Sequence, residues 1–314
     1  MGGGVWSAAT YSGVTSSKIR TGTTFGYDRS VHSSGVYKAH EDLDPKKLNK
    51  AGLNIRESRD STEHPNSLPI IVAFDSTGSM GSVPRVMQQK LGTVFKLLVD
   101  KGYAKDPQVA VATYGDAHCD SVPLQFGQFE SDNRVDDALD NMFLEGGGGG
   151  NNGETSNLLL YYAATHTETD SWEKRKHKGH LFLIADEKQV PIDKDHVREV
   201  IGDKQPLLDD LSNESIAKAV TEKWHVWVLL IDNSAARFQR SHEFYANLFG
   251  EKQVLIVEDP NNIAETIAAV VGFAEGTDRT TIERDLTETA GKEIALRVGK
   301  TLARKNDAGP KVLR

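Results

Sequence analysis

Asp75, Thr77 and Ser79 follow a short apolar run at spacings of two and four residues, with Gly78 between the two hydroxyls. One carboxylate and two hydroxyls on a tight loop can aim oxygen at a single centre, and Gly78 relieves crowding between them. Two further oxygen donors stand in comparable places. Thr155 lies in Gly153-Glu-Thr-Ser156 beyond a glycine run, and Asp186 directly follows the apolar run His180 to Ala185. A hard divalent cation takes about six oxygens near 2.1 Å and keeps some of its water. Mg²⁺ or Mn²⁺ therefore suits Asp75, Thr77, Ser79, Thr155 and Asp186. Asp186 can bind directly or hold a metal-bound water. Two carboxylates leave the ion net positive, so an acidic side chain of a partner can complete its shell.

Each donor also has a plainer reading. Asp75 or Ser79 can cap the helix that follows. Ser156 and Glu154 compete with Thr155, and Glu187 with Asp186. The run Gly146 to Gly150 lacks the Gly-Lys-Ser/Thr that a phosphate cradle requires, so it reads as a rim loop. Asp116, His118, Cys119 and Asp120 cluster in one connection. A second metal site is conceivable there, but turn chemistry or rim contact is expected, with Asp116 in the outer shell of the main site. Cys119 and His118 are adjacent and point apart in an extended segment, which argues against a nucleophile–base pair.

The elements that must hold these residues alternate. Leu68 to Phe74 is too short and β-branched for a helix and reads as a buried strand. Met87, Leu91, Val94, Phe95 and Leu98 mark one face of a helix over 86–99 that Gly102 ends. Strands follow at 108–114, 122–129, 180–185, 226–231 and 253–257. Helices are predicted at 135–143, 155–165, 215–224, 236–249 and 263–274. The fold class is therefore α/β: a doubly wound, mostly parallel six-stranded sheet with one antiparallel edge strand and helices on both faces. In such sheets the functional crevice lies beyond the carboxyl ends of the strands, where the five donors fall.

The order strand, Asp-x-Thr-Gly-Ser-Met, helix, glycine-flanked Thr, strand-Asp resembles the von Willebrand factor A family. Its metal-ion-dependent adhesion site is written Asp-x-Ser-x-Ser with a later Thr and a later Asp. Asp75, Thr77, Ser79, Thr155 and Asp186 match those positions in order; Thr77 departs from the usual Ser but keeps the hydroxyl. The resemblance covers residues 67–275 and implies a Rossmann-like fold. It also implies a protein-interaction module whose Mg²⁺ or Mn²⁺ accepts an acidic residue of a partner. Intracellular members of this kind act as adaptors beside AAA+ ATPases of the MoxR or chelatase type.

Composition narrows the alternatives. The net charge of −8 disfavours a general nucleic-acid surface, and the single cysteine, Cys119, excludes an internal disulfide or a Cys-based zinc cluster. Without a signal-like apolar stretch or a run of about 18 apolar residues, a soluble, cytoplasmic chain with no membrane partner is expected. The first 35 residues hold seven Gly and twelve Ser or Thr. With the polar stretch 40–64 they suggest an extension, 1–66, whose isolated aromatics (Trp6, Tyr11, Phe25, Tyr27) could anchor it to its own domain or to a partner. Residues 276–314 suggest one amphipathic helix with a basic end, where protein or nucleic acid could dock. A structural or assembly role, in a phage particle or a defence complex, is the alternative function. A metal-dependent hydrolase is a further one, but it needs a general base that only Glu154 or Glu187 could supply.

Overall fold

Nine consecutive residues, Ser67–Asp75, are all buried and form β2, which is covered on both faces. The computed structural model describes residues 6–7, 10, 25–147, 153–231 and 235–306. β2 pairs in parallel with β3 (Asp106–Tyr114) on one side and β6 (Gly179–Ala185) on the other. β7 (Trp224–Ile231) and β8 (Val254–Val257) extend the sheet beyond β6, also in parallel. β4 (Leu124–Phe126) runs antiparallel along β3. The order β4-β3-β2-β6-β7-β8 gives a mixed α/β fold with a mostly parallel six-stranded sheet and one antiparallel edge strand. The chain reverses its winding between β2 and β6, which makes the crevice above those two strands the switch point.

Alternation along β2 builds two cores. Ile70, Val72 and Phe74 face a cluster formed with helices Val83–Asp100 and Ile263–Ala274. Ile71 and Ala73 face a second, formed with helices Ser156–Thr165, Asn213–Lys223 and Ala235–Phe249. No helix among the described residues is long and apolar enough to cross a membrane.

Several expectations change, and the helix expected at 135–143 ends at Asp140. The strand expected at 122–129 shrinks to Leu124–Phe126: pairing breaks after Phe126 and resumes only as a single bridge between Val109 and Glu130. The outer edge of β4 is not open, since the Phe126 N–H donates to the Leu43 carbonyl at 2.8 Å. Trp224 opens β7 rather than closing the preceding helix, because it pairs with Gly179. The tail is two helices, Arg279–Ala290 and Lys292–Asn306, broken at Gly291, whose φ of 94° a side chain rarely adopts.

The polar stretch 40–64 is not a loose linker. Arg56–Ser58 form β1, paired in parallel with β5 (Thr167–Thr169) in a separate two-stranded sheet. The buried Arg56 guanidinium donates to the carbonyls of Phe126, Lys47 and Asp44 at 3.2, 3.1 and 2.8 Å. Trp6 stacks on Phe95 at 4.4 Å, and Phe25 is also buried in the first core. Residues Gly26–Ser34 form a helix, and residues 11–24, including Tyr11, lie outside the described residues.

Candidate metal centre

Asp75 is the last residue of β2, and Asp186 follows the last residue of β6. The register Phe74 to Ile184 puts these strand ends side by side. Asp75 Oδ1 accepts the Thr77 N–H at 2.6 Å, which tightens the loop two residues on. Asp75 Oδ2 is fully buried and has no hydrogen-bond partner among the described residues. The hydroxyls of Thr77 and Ser79 lie 3.2 Å apart across the short 3₁₀ turn Gly78–Met80. Neither Asp75 nor Ser79 caps the next helix, whose N-cap position is Ser82 with no side-chain cap. The capping reading is therefore corrected.

Gly78 is fixed by its surroundings. Its N–H donates to the Gly147 carbonyl at 2.8 Å, and a Cβ there would stand 2.9 Å from the Gly146 carbonyl oxygen. The glycine run thus lines this loop through Gly146 and Gly147; Gly148 to Gly150 lie outside the described residues.

Thr155 occupies the N-cap position of helix Ser156–Thr165 without capping it. Its hydroxyl instead donates to the Gly115 carbonyl and accepts the Ala117 N–H, both at 2.9 Å. That keeps one lone pair and ties the helix start to the connection after β3. Asp186 Oδ2 accepts from Arg237 at 3.2 Å, and the same guanidinium meets Glu187 at 3.0 Å.

Electrostatics join what bonding does not. Burial, reinforced by Asp186 and Asp120, pushes the Asp75 carboxyl up to about 7, although hydrogen bonds from Thr77 pull the other way. Burial, then Asp75, Asp120, Asp116 and Glu187, pushes Glu154 up to about 10. Glu154 Oε2 is a second buried oxygen with no hydrogen-bond partner among the described residues. Of the five residues singled out from sequence, Asp75, Thr77 and Ser79 share one bonded loop. Thr155 is stitched to the neighbouring connection, and Asp186 reaches Asp75 through strand register and charge. Sequence reasoning did not assign Asp120 or Arg237 to this site, and it weighed Glu154 as a rival to Thr155 and as a general base of the hydrolase alternative. Nothing in a single sequence shows that the hairpin turns Asp120 inward.

The residues fit a hard cation. Buried carboxylate oxygen without a hydrogen-bond donor, in a crevice of like charges, is expensive unless a positive charge settles it. Among the described residues no three His, Cys, Asp or Glu side chains form a metal-holding group. Within the connection 115–123 the carboxylates of Asp116 and Asp120 take their hydrogen bonds from neighbouring residues. The Asp116 N–H donates to Asp120 Oδ2 at 2.6 Å, and Asp116 Oδ1 lies 2.7 Å from His118 Nδ1. The Cys119 thiol donates to Asp116 Oδ2 at 3.3 Å, and burial with the neighbouring carboxylates pushes it up to about 12. A thiol so held is no nucleophile at neutral pH.

No family model matches the chain, and no curated protein matches it. Solved structures similar to it include the pilus adhesin SpaC from Lactobacillus rhamnosus GG in its open conformation, with TM-score 0.44 and 9% identity. That match covers 73% of this chain and 31% of the adhesin. Proximal thread matrix protein 1 from the mussel byssus is similar at TM-score 0.43 and 14% identity, over 67% of this chain and 46% of that one. The chain thus spans less than half the length of either.

Proposed function

We propose that this chain is an interaction module of the von Willebrand factor A type, in which a divalent cation held by Asp75, Thr77, Ser79, Thr155 and Asp186 accepts an acidic residue of a partner protein. The reading rests on Asp75: a buried carboxylate oxygen with no donor, at the end of the central strand and among like charges. When bound, Mg²⁺ or Mn²⁺ supplies positive charge and open coordination positions. The protein's own task is to hold the oxygens and exclude competing donors. The loop bond from Thr77 to Asp75 and the Thr155 bonds to the 115–117 segment do so.

The hydrolase alternative finds little support. Glu154 favours its protonated form in the cation-free site, and Glu187 is paired with Arg237, so neither is a ready base. An assembly role for the extension is weakened by the packing of Trp6, Phe25 and Arg56 on their own domain.

Calorimetric titration with Mg²⁺ and Mn²⁺ tests the site, and recovery of partners from the native host tests the role. Saturable binding that Asp75→Ala abolishes, with partner recovery lost in that variant and in EDTA, supports the proposal. Equal recovery in all conditions overturns it. An AAA+ ATPase among the metal-dependent partners would carry the adaptor role.

A further inference from the structure

Helix Ala235–Phe249 is fastened to the residues after β6 by three side chains at four-residue steps. The Tyr245 hydroxyl donates to the Glu187 carbonyl at 3.0 Å, and the Ser241 hydroxyl donates to the Asp186 carbonyl at 3.2 Å. Tyr245 and Ser241 are both buried. One turn nearer the helix start, Arg237 Nη1 reaches the carboxylates of the same two residues, Asp186 Oδ2 at 3.2 Å and Glu187 Oε1 at 3.0 Å. Steps of four keep side chains on one helical face. The two buried hydroxyls therefore fix the face that carries the guanidinium, and Arg237 is delivered to the crevice by an anchored helix.

The three charged side chains lie at different depths. That of Asp186 is 0% exposed, that of Glu187 13% and that of Arg237 37%. The guanidinium thus reaches from the rim to a carboxylate on the floor of the crevice, and that carboxylate belongs to the cation centre.

A carboxylate already paired with a guanidinium gives up part of its attraction for a second positive charge. An opposite charge within about 4–6 Å shifts a carboxylate's affinity for a proton by roughly one to three decades. The same field acts on its affinity for a metal ion. Arg237 and a cation drawing on Asp186 are also like charges in a partly enclosed crevice, where salt screens their repulsion weakly. Both effects have one sign: they weaken cation binding.

We propose that Arg237 attenuates the cation centre, lowering its affinity for Mg²⁺ by pairing with Asp186. Arg237 is a positioning residue here and not a ligand. The inference rests on the cation site proposed above and assigns that site's regulation to the face of helix Ala235–Phe249 that carries Arg237. If Arg237 only fastened the helix, as Ser241 and Tyr245 do, its loss would loosen the Asp186 loop and weaken Mg²⁺ binding. The two roles predict opposite signs.

The test is calorimetric titration of Mg²⁺ into the full chain at pH 7.5, paired with thermal melts in chelator. Arg237→Gln and Arg237→Met both remove the charge, and two replacements guard against one that fails to fold. Each should bind Mg²⁺ at least tenfold more tightly than wild type. Each should also melt at a lower temperature in chelator, because the buried Asp186 charge loses its partner. Ser241→Ala, which removes a fastening and no charge, should lower the melting temperature and leave Mg²⁺ affinity within about twofold of wild type. Unchanged or weaker Mg²⁺ binding in the folded Arg237 variants, or equal tightening in Ser241→Ala, would overturn the attenuator while leaving the cation site standing. Absence of Mg²⁺ binding in wild type and in both Arg237 variants would overturn the two together.

Discussion

Replacing Asp75 with Asn should stabilise the cation-free protein at neutral pH and remove its response to Mg²⁺. The carboxyl titrates near 7 in the folded chain against 3.8 ordinarily. At about 1.4 kcal/mol per pH unit over that interval, its ionisation costs the cation-free fold about 4 kcal/mol at pH 7.5. The sign is that of an acid whose folded value is raised. The cost is absent below pH 4, where both states hold the proton, grows between pH 4 and 7, and is level above 7, where both have lost it. Asn keeps the oxygen that accepts the Thr77 N–H and carries no charge. Its amide still has to find acceptors in the crevice, so a net gain of about 2 kcal/mol is expected, on the order of 5 °C in Tm. Free Mg²⁺ at a hundred times its Kd should add about 2.7 kcal/mol to wild type and nothing to the variant. Thermal melts in chelator and in Mg²⁺, at pH 5 and 7.5, read all four states. If Asp75→Asn melts below wild type in chelator at pH 7.5, or the gap fails to narrow at pH 5, the electrostatic account of the site is wrong.

Thr77→Val should abolish Mg²⁺ binding in a calorimetric titration whereas Thr77→Ser retains it, because the hydroxyl and not the methyl is the donor. Gly78→Ala should weaken Mg²⁺ binding, since its Cβ would press on the Gly146 carbonyl at 2.9 Å, yet leave the unfolding free energy from urea titration within about 1 kcal/mol of wild type. Arg56→Met strips three carbonyls of their donor and should lower unfolding free energy by about 3 kcal/mol with unchanged Mg²⁺ affinity.

The central elements were legible because their signals are local. β2 announces itself as a β-branched run ending in Asp75, and helix Ile263–Ala274 matches its apolar pattern end to end. The site loop was legible for the same reason: Asp75, Thr77 and Ser79 lie within five residues. What the sequence hid depends on distant partners. β1 is three polar residues, Arg-Glu-Ser, with no alternation to mark it, and its strand character comes from Thr167–Thr169. Arg56 resembles any surface arginine until three carbonyls from two segments surround it. The enclosure of Glu154, and the turn of Asp120 towards the Asp116 N–H, follow from how the connection after β3 folds back, which no residue spacing encodes.

Helix Ser156–Thr165 joins the two ends of the molecule discussed above. It is a rod about 15 Å long. At one end Thr155 is fastened to the 115–117 segment. At the other, the His166 carbonyl accepts the Arg56 N–H at 2.8 Å, and β5 begins at the next residue. A helix is stiff along its axis, so the Thr155 end and the three-residue ladder between β1 and β5 are held at a fixed separation. The segment before β2 is therefore tied, through this one helix, to the crevice that holds Asp75 and Thr155.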